Sequence, residues 1–220
     1  MIHPSADRRL IIPERTPHHG YTLEGRPLLG VTKVIHTVLR APELESWFKR
    51  MGMQADAVRD EAAAFGKSIH AAMTAHLRGQ SLVPLDMPEK WRLIVEAGRR
   101  WIDDNVEEVY AVEEPIASAI YGYAGEPDTY CRLVGRASPT IVDFKATGDL
   151  YWSHRAQTAA YRQAAKETYK DSRIERLVIR FDKETPGRVH PHPLREHSDD
   201  FALFGYLLGA YRIMTKGLRG

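Results

Sequence analysis

Two short runs hold residues that could do chemistry together: Gly125-Glu126-Pro127-Asp128 and Val142-Asp143-Phe144-Lys145. Apolar Val142 and Phe144 alternate with Asp143 and Lys145, which predicts a strand from Ile141 to Lys145. Side chains at i and i+2 leave a strand on one face, ~6–7 Å apart along it, so a carboxylate and an amine project together. Asp128 lies in a segment that can pair beside this strand and bring a second carboxylate to the same place. Two carboxylates ~4 Å apart repel by about 4 kcal/mol at an effective dielectric of 20, so the cluster needs a cation or a shared proton. Oxygen ligands of this kind suit Mg²⁺ or Mn²⁺. A lysine beside a hard metal can orient a water or offset charge on a phosphate in flight. The chemistry these residues point to is metal-dependent hydrolysis of a phosphodiester.

Further polar residues stand at spacings that could serve such a site. Gly66 and His70 lie four apart on a predicted helix, hence on one face. Gly66 could admit a close backbone approach and His70 could reach a metal, although a lone histidine on such a helix is more often structural. Glu113 and Glu114 fall on a predicted strand, whose alternation aims one or the other at the site, or leaves both as edge carboxylates. Of the two, Glu113 is favoured. Gln157 and Tyr161 share a helix face at i, i+4, which beside the strand cluster suits hydrogen bonding and ring stacking with a nucleotide, and without that cluster reads as an N-terminal helix face with a snorkelling tyrosine. His18-His19 and the pair His190 and His192 lack a third zinc ligand, and Cys131 reads as a small buried hydrophobe. No Gly-x-x-x-x-Gly-Lys-[Ser/Thr] loop is present, which argues against an NTPase.

The elements that must position these residues follow from the hydrophobic periodicity. Residues 1–30, rich in Pro, His and Gly, read as a loose or extended arm. Short helices are predicted over Thr32–Arg40 and Pro42–Met51. A longer one covers Asp56–Arg78, with Phe65, Ile69, Met73 and Leu77 at four-residue spacing, and Pro88 opens another bearing Trp91, Ile94, Val95, Gly98, Trp101 and Ile102. Strands are predicted over Val109–Ala117, Thr129–Val134 and Thr140–Lys145. Helix returns over Ser153–Tyr169, followed by a hairpin of Arg176–Asp182 and Val189–Leu194 around Thr185-Pro186-Gly187. Ser198-Asp199-Asp200 then caps a last helix reaching Thr215. Helices first, then a sheet with one helix inserted, describe a single α/β domain over 31–220. Its helical lead-in spans 31–106, its sheet core 109–195 and its closing helix 198–216.

Composition sets outer bounds. At 220 residues, 43% hydrophobic and 27% charged, the chain is an ordinary globular protein able to bury one sizeable core. No apolar run approaches the ~20 residues of a membrane span, and residues 1–15 carry no signal-peptide core, so a cytoplasmic location is expected. One cysteine excludes an intramolecular disulfide and any four-cysteine zinc or iron–sulfur site. The net charge of +2 divides unevenly, +5 over residues 151–220 against −3 over 1–150, which fits either a phosphate-backbone substrate or uneven solvated charge.

Read in order, Gly66-x-x-x-His70, Glu113, Gly125-x-x-Asp128, Asp143-x-Lys145 and Gln157-x-x-x-Tyr161 resemble the motif series of the RecB-like branch of the PD-(D/E)XK nuclease superfamily. The resemblance covers roughly residues 60–170. Upstream, Tyr21 to Met51, with Gly30-Val31-Thr32 and Trp47, is similar to the lead-in of phage-type and mitochondrial genome maintenance exonucleases, as is the run Gly122 to Asp128. The resemblance implies a restriction-endonuclease-like α/β core, a central mixed sheet flanked by helices, that cuts DNA with Mg²⁺ or Mn²⁺. It implies that His70, Asp128 and Asp143 ligate metal with the Phe144 carbonyl, that Lys145 positions or activates the attacking water, and that Glu113 supports the metal. By the same carry-over Gln157 and Tyr161 orient their helix and contact DNA. Ala146 stands where the family often has Thr or Ser after its lysine, and the missing cysteines place the chain with the branch that has no iron–sulfur cluster. The expected activity is a DNA exonuclease in replication, recombination or end processing, of phage or prophage source. Grip would come from an enclosing channel, an oligomer or a partner protein. An endonuclease of the same fold, a non-cleaving DNA-binding recruitment module and a small-molecule phosphoesterase are the alternatives.

Overall fold

The computed structural model describes residues 11–17, 20–39, 55–80 and 87–216, and in them a mixed α/β fold with two five-stranded mixed sheets and five helices. The helix expected over Pro42–Met51, Trp47 and the pair His18-His19 lie outside the described residues. The order is β1 (Glu14–Arg15), β2 (Tyr21–Leu23), β3 (Arg26–Gly30), α1 (Val31–Val38), α2 (Ala55–Leu77), α3 (Glu89–Asn105), β4 (Val106–Val112), β5 (Ile116–Ser118), β6 (Tyr123–Gly125), β7 (Thr129–Leu133), β8 (Pro139–Lys145), α4 (Trp152–Tyr169), β9 (Glu175–Phe181), β10 (Val189–Pro193) and α5 (His197–Lys216). No described helix is long and apolar enough to cross a membrane.

The larger sheet has the order β10-β9-β8-β7-β4, antiparallel except for the β8–β9 pair. A parallel pair needs a crossover, and α4 supplies it. The central strand β8 is buried on both faces, so its two sets of alternate residues enter two cores. Val142 and Phe144 pack with Phe65, Ile69 and Met73 of α2, Ile94 of α3, and Ile179 and Phe181 of β9. Ile141 packs with Ala156, Ala160 and Ala164 of α4, Val34 and Ile35 of α1, and Phe204 and Leu208 of α5. The apolar stripes expected on α2 and α3 are the ones buried, except that Trp91 and Trp101 are only partly covered. Gly98 lets α3 settle onto α2 and β9: a Cβ there would lie 2.5 Å from Met73 Sδ and 2.9 Å from Phe181 Cε1.

Two features differ from the expectation. Where a loose arm is expected, β1, β2 and β3 form an antiparallel meander, and β3 pairs in parallel with β6 in the smaller sheet, β1-β2-β3-β6-β5. These strands have two to five residues, too few for period-2 alternation to show. The single strand expected over Val109–Ala117 breaks at Glu113-Glu114-Pro115, with β4 joining the larger sheet and β5 the smaller. Glu113 has φ of 50°, in the left-handed region, and Pro115 has no amide to give to a ladder.

Candidate active site

Asp128 and Asp143 face each other because β7 and β8 pair antiparallel with Thr129 opposite Val142, which sets Asp128 opposite Asp143 one step further along. Both are buried. Asp128 Oδ2 accepts the Phe144 amide at 2.5 Å, and Asp128 Oδ1 lies 2.6 Å from His70 Nε2. The other ring nitrogen of His70, Nδ1, is 3.4 Å from Glu113 Oε1. Glu113 Oε2 pairs with Arg78 Nη2 at 2.8 Å, and that guanidinium also donates to the Val112 carbonyl at 3.0 Å. The Glu113 amide donates to the Asp128 carbonyl at 3.1 Å, so the turn between the sheets is tied to the strand that carries the carboxylate.

Lys145 Nζ lies 2.8 Å from Asp143 Oδ2 on the same face of β8. The approach is poorly aligned, and Asp143 Oδ2 is a buried oxygen without an in-line hydrogen-bond donor. Burial raises the Asp143 carboxyl to about 6, with Lys145 opposing the rise and Asp128 adding to it. Burial works against the Lys145 ammonium, but Asp143 and Asp128 outweigh it and hold the amine above its ordinary value, hence charged. His70 is likewise pulled down by burial and more strongly raised by Asp128 and then Glu113, so its imidazolium form is favoured. Among the described residues, no three His, Cys, Asp or Glu side chains form a ready-made metal cage. His70 and Asp128 instead satisfy each other, and Lys145 covers Asp143.

The remaining expected residues border this cluster. Phe144 meets it through its backbone, while its ring packs in the core 6.1 Å from Phe181. Gly66 faces the residue after Lys145, but a Cβ there would only touch Ala146 Cβ at 4.0 Å, so no close backbone approach requires glycine. Gln157 Nε2 donates to the Tyr161 hydroxyl at 3.0 Å and reaches Thr32 Oγ1 at 3.5 Å. Tyr161 is only 3% exposed, so the expected stacking of its ring on a nucleotide does not hold: neither face is open. The ring packs against Gly125, where a Cβ would come within 2.5 Å of Tyr161 Cε1. Gly125 thus brings the Asp128 segment down onto α4. His190 and His192 stand apart, bonded to Thr185 and Arg180.

Three residues complete the surroundings without having been anticipated. Arg78 stands eight residues, about two turns, after His70, a spacing visible in the sequence. His154 lies three before Gln157 and seven before Tyr161, hence on their face of α4; burial and then Lys145 depress it to about 4, so it is neutral. Arg15 of β1 forks onto Glu126 at 2.7 and 2.8 Å and donates to the Glu113 carbonyl at 2.7 Å, clasping both segments that carry site carboxylates. No local pattern marks Arg15, because its role exists only once the meander has formed.

No protein-family model matches the chain, and no curated protein matches it by sequence. Solved structures of similar shape include SSO0001, at 14% identity over 84% of this chain and 75% of that one, with a TM-score of 0.44. A candidate exonuclease from Eubacterium rectale aligns at 9% identity over 70% and 66%, with a TM-score of 0.46. An alkaline exonuclease from Laribacter hongkongensis aligns at 12% identity over 86% and 88%, with a TM-score of 0.39. With all three scores below 0.5, what bears on function is the chain's own cluster.

Proposed function

We propose that this chain is a metal-dependent deoxyribonuclease of the PD-(D/E)XK type, hydrolysing phosphodiester bonds from DNA ends. The observation that carries the reading is the pairing of two buried carboxylates, Asp128 and Asp143, across β7 and β8, with Lys145 on the face of Asp143 and Asp143 Oδ2 left without an aligned donor. Lys145 faces this oxygen at 2.8 Å without donating along a good hydrogen-bond line, so a second hard cation could still share it. The donor set is hard: carboxylate oxygens and one imidazole, with no thiolate in reach. It suits Mg²⁺ or Mn²⁺, which Asp128, Asp143 and a deprotonated His70, released from Asp128, would hold with the Phe144 carbonyl. Such an ion, when bound, supplies Lewis acidity toward the phosphate and a more acidic water.

The chain's own residues do the rest. Lys145, kept charged by its two carboxylate neighbours, orients the water and offsets charge as it grows on the phosphoryl oxygens. Glu113, fixed by Arg78, holds His70 from the far side so that its other nitrogen faces Asp128. Gln157 is the group of its helix pair left half-exposed to meet DNA, and Tyr161 orients it. The motif series is shared with endonucleases of the same fold, so action on ends follows from the resemblance to phage-type exonucleases and not from the motifs. The nuclease domain extends upstream to take in β1–β3, whose Arg15 clasps the site. The mutual satisfaction of His70 with Asp128 and of Lys145 with Asp143 is what a non-cleaving DNA-binding module would also show.

End-labelled linear and closed circular DNA, single- and double-stranded, incubated with Mg²⁺, Mn²⁺ or EDTA beside Lys145→Ala, separates these readings. Metal-dependent loss of linear DNA alone, reduced about 100-fold or more in the variant, is the expected result. Cutting of circles moves the assignment to an endonuclease, and binding without cleavage under either metal moves it to recruitment.

A further inference from the structure

Six residues after Lys145 the chain reaches Tyr151 and then Trp152, the cap and first residue of α4, with 52% and 67% of their surfaces in water. Neither ring belongs to a core cluster, although an aromatic of this size gains several kcal/mol by burial, at about 25 cal/mol per Å². Both are nevertheless held in place. The Tyr151 ring stands edge-on to His154 at 5.3 Å, and the Tyr151 amide donates to His154 Nδ1 at 3.3 Å. His154 is buried and within reach of the Lys145 charge, which puts the start of α4 on the side of the site. The Arg155 guanidinium lies 5.0 Å from the centre of the Trp152 ring, and its Nε is fixed by Asp200 at 2.8 Å. The intervening loop is pinned as well, since Arg180 Nη1 donates to the carbonyls of Thr147 at 3.2 Å and Gly148 at 2.6 Å.

Two aromatic rings fixed at one edge and open at the other, at the end of the loop that leaves Lys145, suit a flat, uncharged π-face. The cleft beside Trp152 is lined by Leu39, Leu203 and Arg155 with Asp199 and Asp200, and Arg155 is already taken up by Asp200, so its apolar wall suits a neutral base. We propose that Tyr151 and Trp152 form a stacking site for unpaired nucleobases flanking the scissile phosphate, so that the enzyme grips a single-stranded or frayed end. The inference rests on the nuclease reading for its substrate. Stacking is tolerant of sequence because every base presents a π-face, which suits degradation of any strand.

The test compares the whole protein's affinity, in EDTA to prevent cleavage, for a fluorescein-labelled oligo-dT and for an abasic oligonucleotide of equal length. The wild type binds oligo-dT about 10- to 100-fold more tightly, and the double variant Tyr151→Ala, Trp152→Ala brings that ratio to within about 3-fold without weakening the abasic strand. Trp152→Phe retains most of the ratio. Quenching of tryptophan emission by oligo-dT but not by the abasic strand, lost in Trp152→Phe, supports the site independently of how well the double variant folds. Equal affinity of the wild type for both strands, or a ratio untouched by the double variant, overturns the proposal. Cleavage with a ratio of one overturns the stacking site and leaves the nuclease reading standing; a base-dependent ratio without cleavage under any metal does the reverse.

Discussion

Two clusters of buried charge lie on neighbouring strands of the larger sheet, and they are finished differently. On β9, Arg176 is only 2% exposed, as is Asp200 of α5, and their ion pair is closed on every side. Arg176 Nη2 meets Asp200 Oδ2 at 2.7 Å, its Nε donates to His197 Nδ1 at 3.0 Å, and its Nη1 to the Arg155 carbonyl at 3.1 Å, while Arg155 takes the other Asp200 oxygen at 2.8 Å. On β8, Asp143 is just as buried, yet its Oδ2 has only a misaligned lysine and a second carboxylate across the hairpin. A buried charge whose hydrogen bonds are complete locks elements together, here α4, β9 and α5. One left incomplete costs stability in the fold and is available to a ligand. By this contrast the β9 cluster is a structural hub and the β8 cluster is the one proposed as the working site.

The largest effect that could break this comparison is on the hub. Asp200→Ala leaves Arg176 buried without a carboxylate, and chemical denaturation is expected to show a loss of about 3–5 kcal/mol. A loss under 1 kcal/mol would mean that the hub is not what holds α5 in place. Next comes the packing beneath the site. Gly125→Ala drives a methyl into the Tyr161 ring, and a melt should show destabilisation of about 1–3 kcal/mol, with activity falling as the Asp128 segment is pushed off α4. Arg15→Ala removes an exposed clasp, so stability should change by less than about 1 kcal/mol, yet turnover should fall about 10-fold because the Glu113 turn and the Glu126 segment lose their common anchor. Unchanged turnover there would reduce the meander to a passive edge.

The smallest effect is in the pH dependence, where the clusters have opposite signs. His197 is depressed to about 4 by burial and by Arg162 and Arg176, against about 6.5 unfolded. The unfolded state then binds more protons between pH 4 and 6.5, so the hub's contribution is present above that window and lost as pH falls through it. Asp143, raised to about 6 from about 3.9 unfolded, does the opposite: the native state holds more protons between pH 4 and 6, and stability is lost as pH rises. In EDTA, melting temperatures across pH 4–6.5 should therefore rise more steeply with pH in Asp143→Asn and less steeply in His197→Gln. The same change in both variants would contradict the assignment.

Much of the site was legible because its elements are regular. The alternation in Val142-Asp143-Phe144-Lys145 and the four-residue stripe on α2 are period signals, and both put their polar residues on definite faces. The hub escaped notice because Arg176, His197 and Asp200 meet only through tertiary packing of β9 against α5, which no local spacing encodes. Arg15 and β6 escaped for a related reason: strands of two and three residues carry no periodicity. Glu113 was ambiguous with Glu114 for as long as 109–117 read as one strand; the left-handed turn at Glu113 follows no alternation rule. Tyr161 shows the limit of side-chain chemistry read alone, since only the close approach of Gly125 reveals that its ring is walled in.

The most direct test of the central claim is degradation of linear DNA with Mn²⁺ by Asp143→Asn, measured together with its melting temperature. If the incomplete cluster is the working site, activity falls about 100- to 1000-fold while the melting temperature holds or rises, because a buried carboxylate facing another has been made neutral. Undiminished cleavage, or a loss of activity that only follows a loss of folded protein, would contradict it.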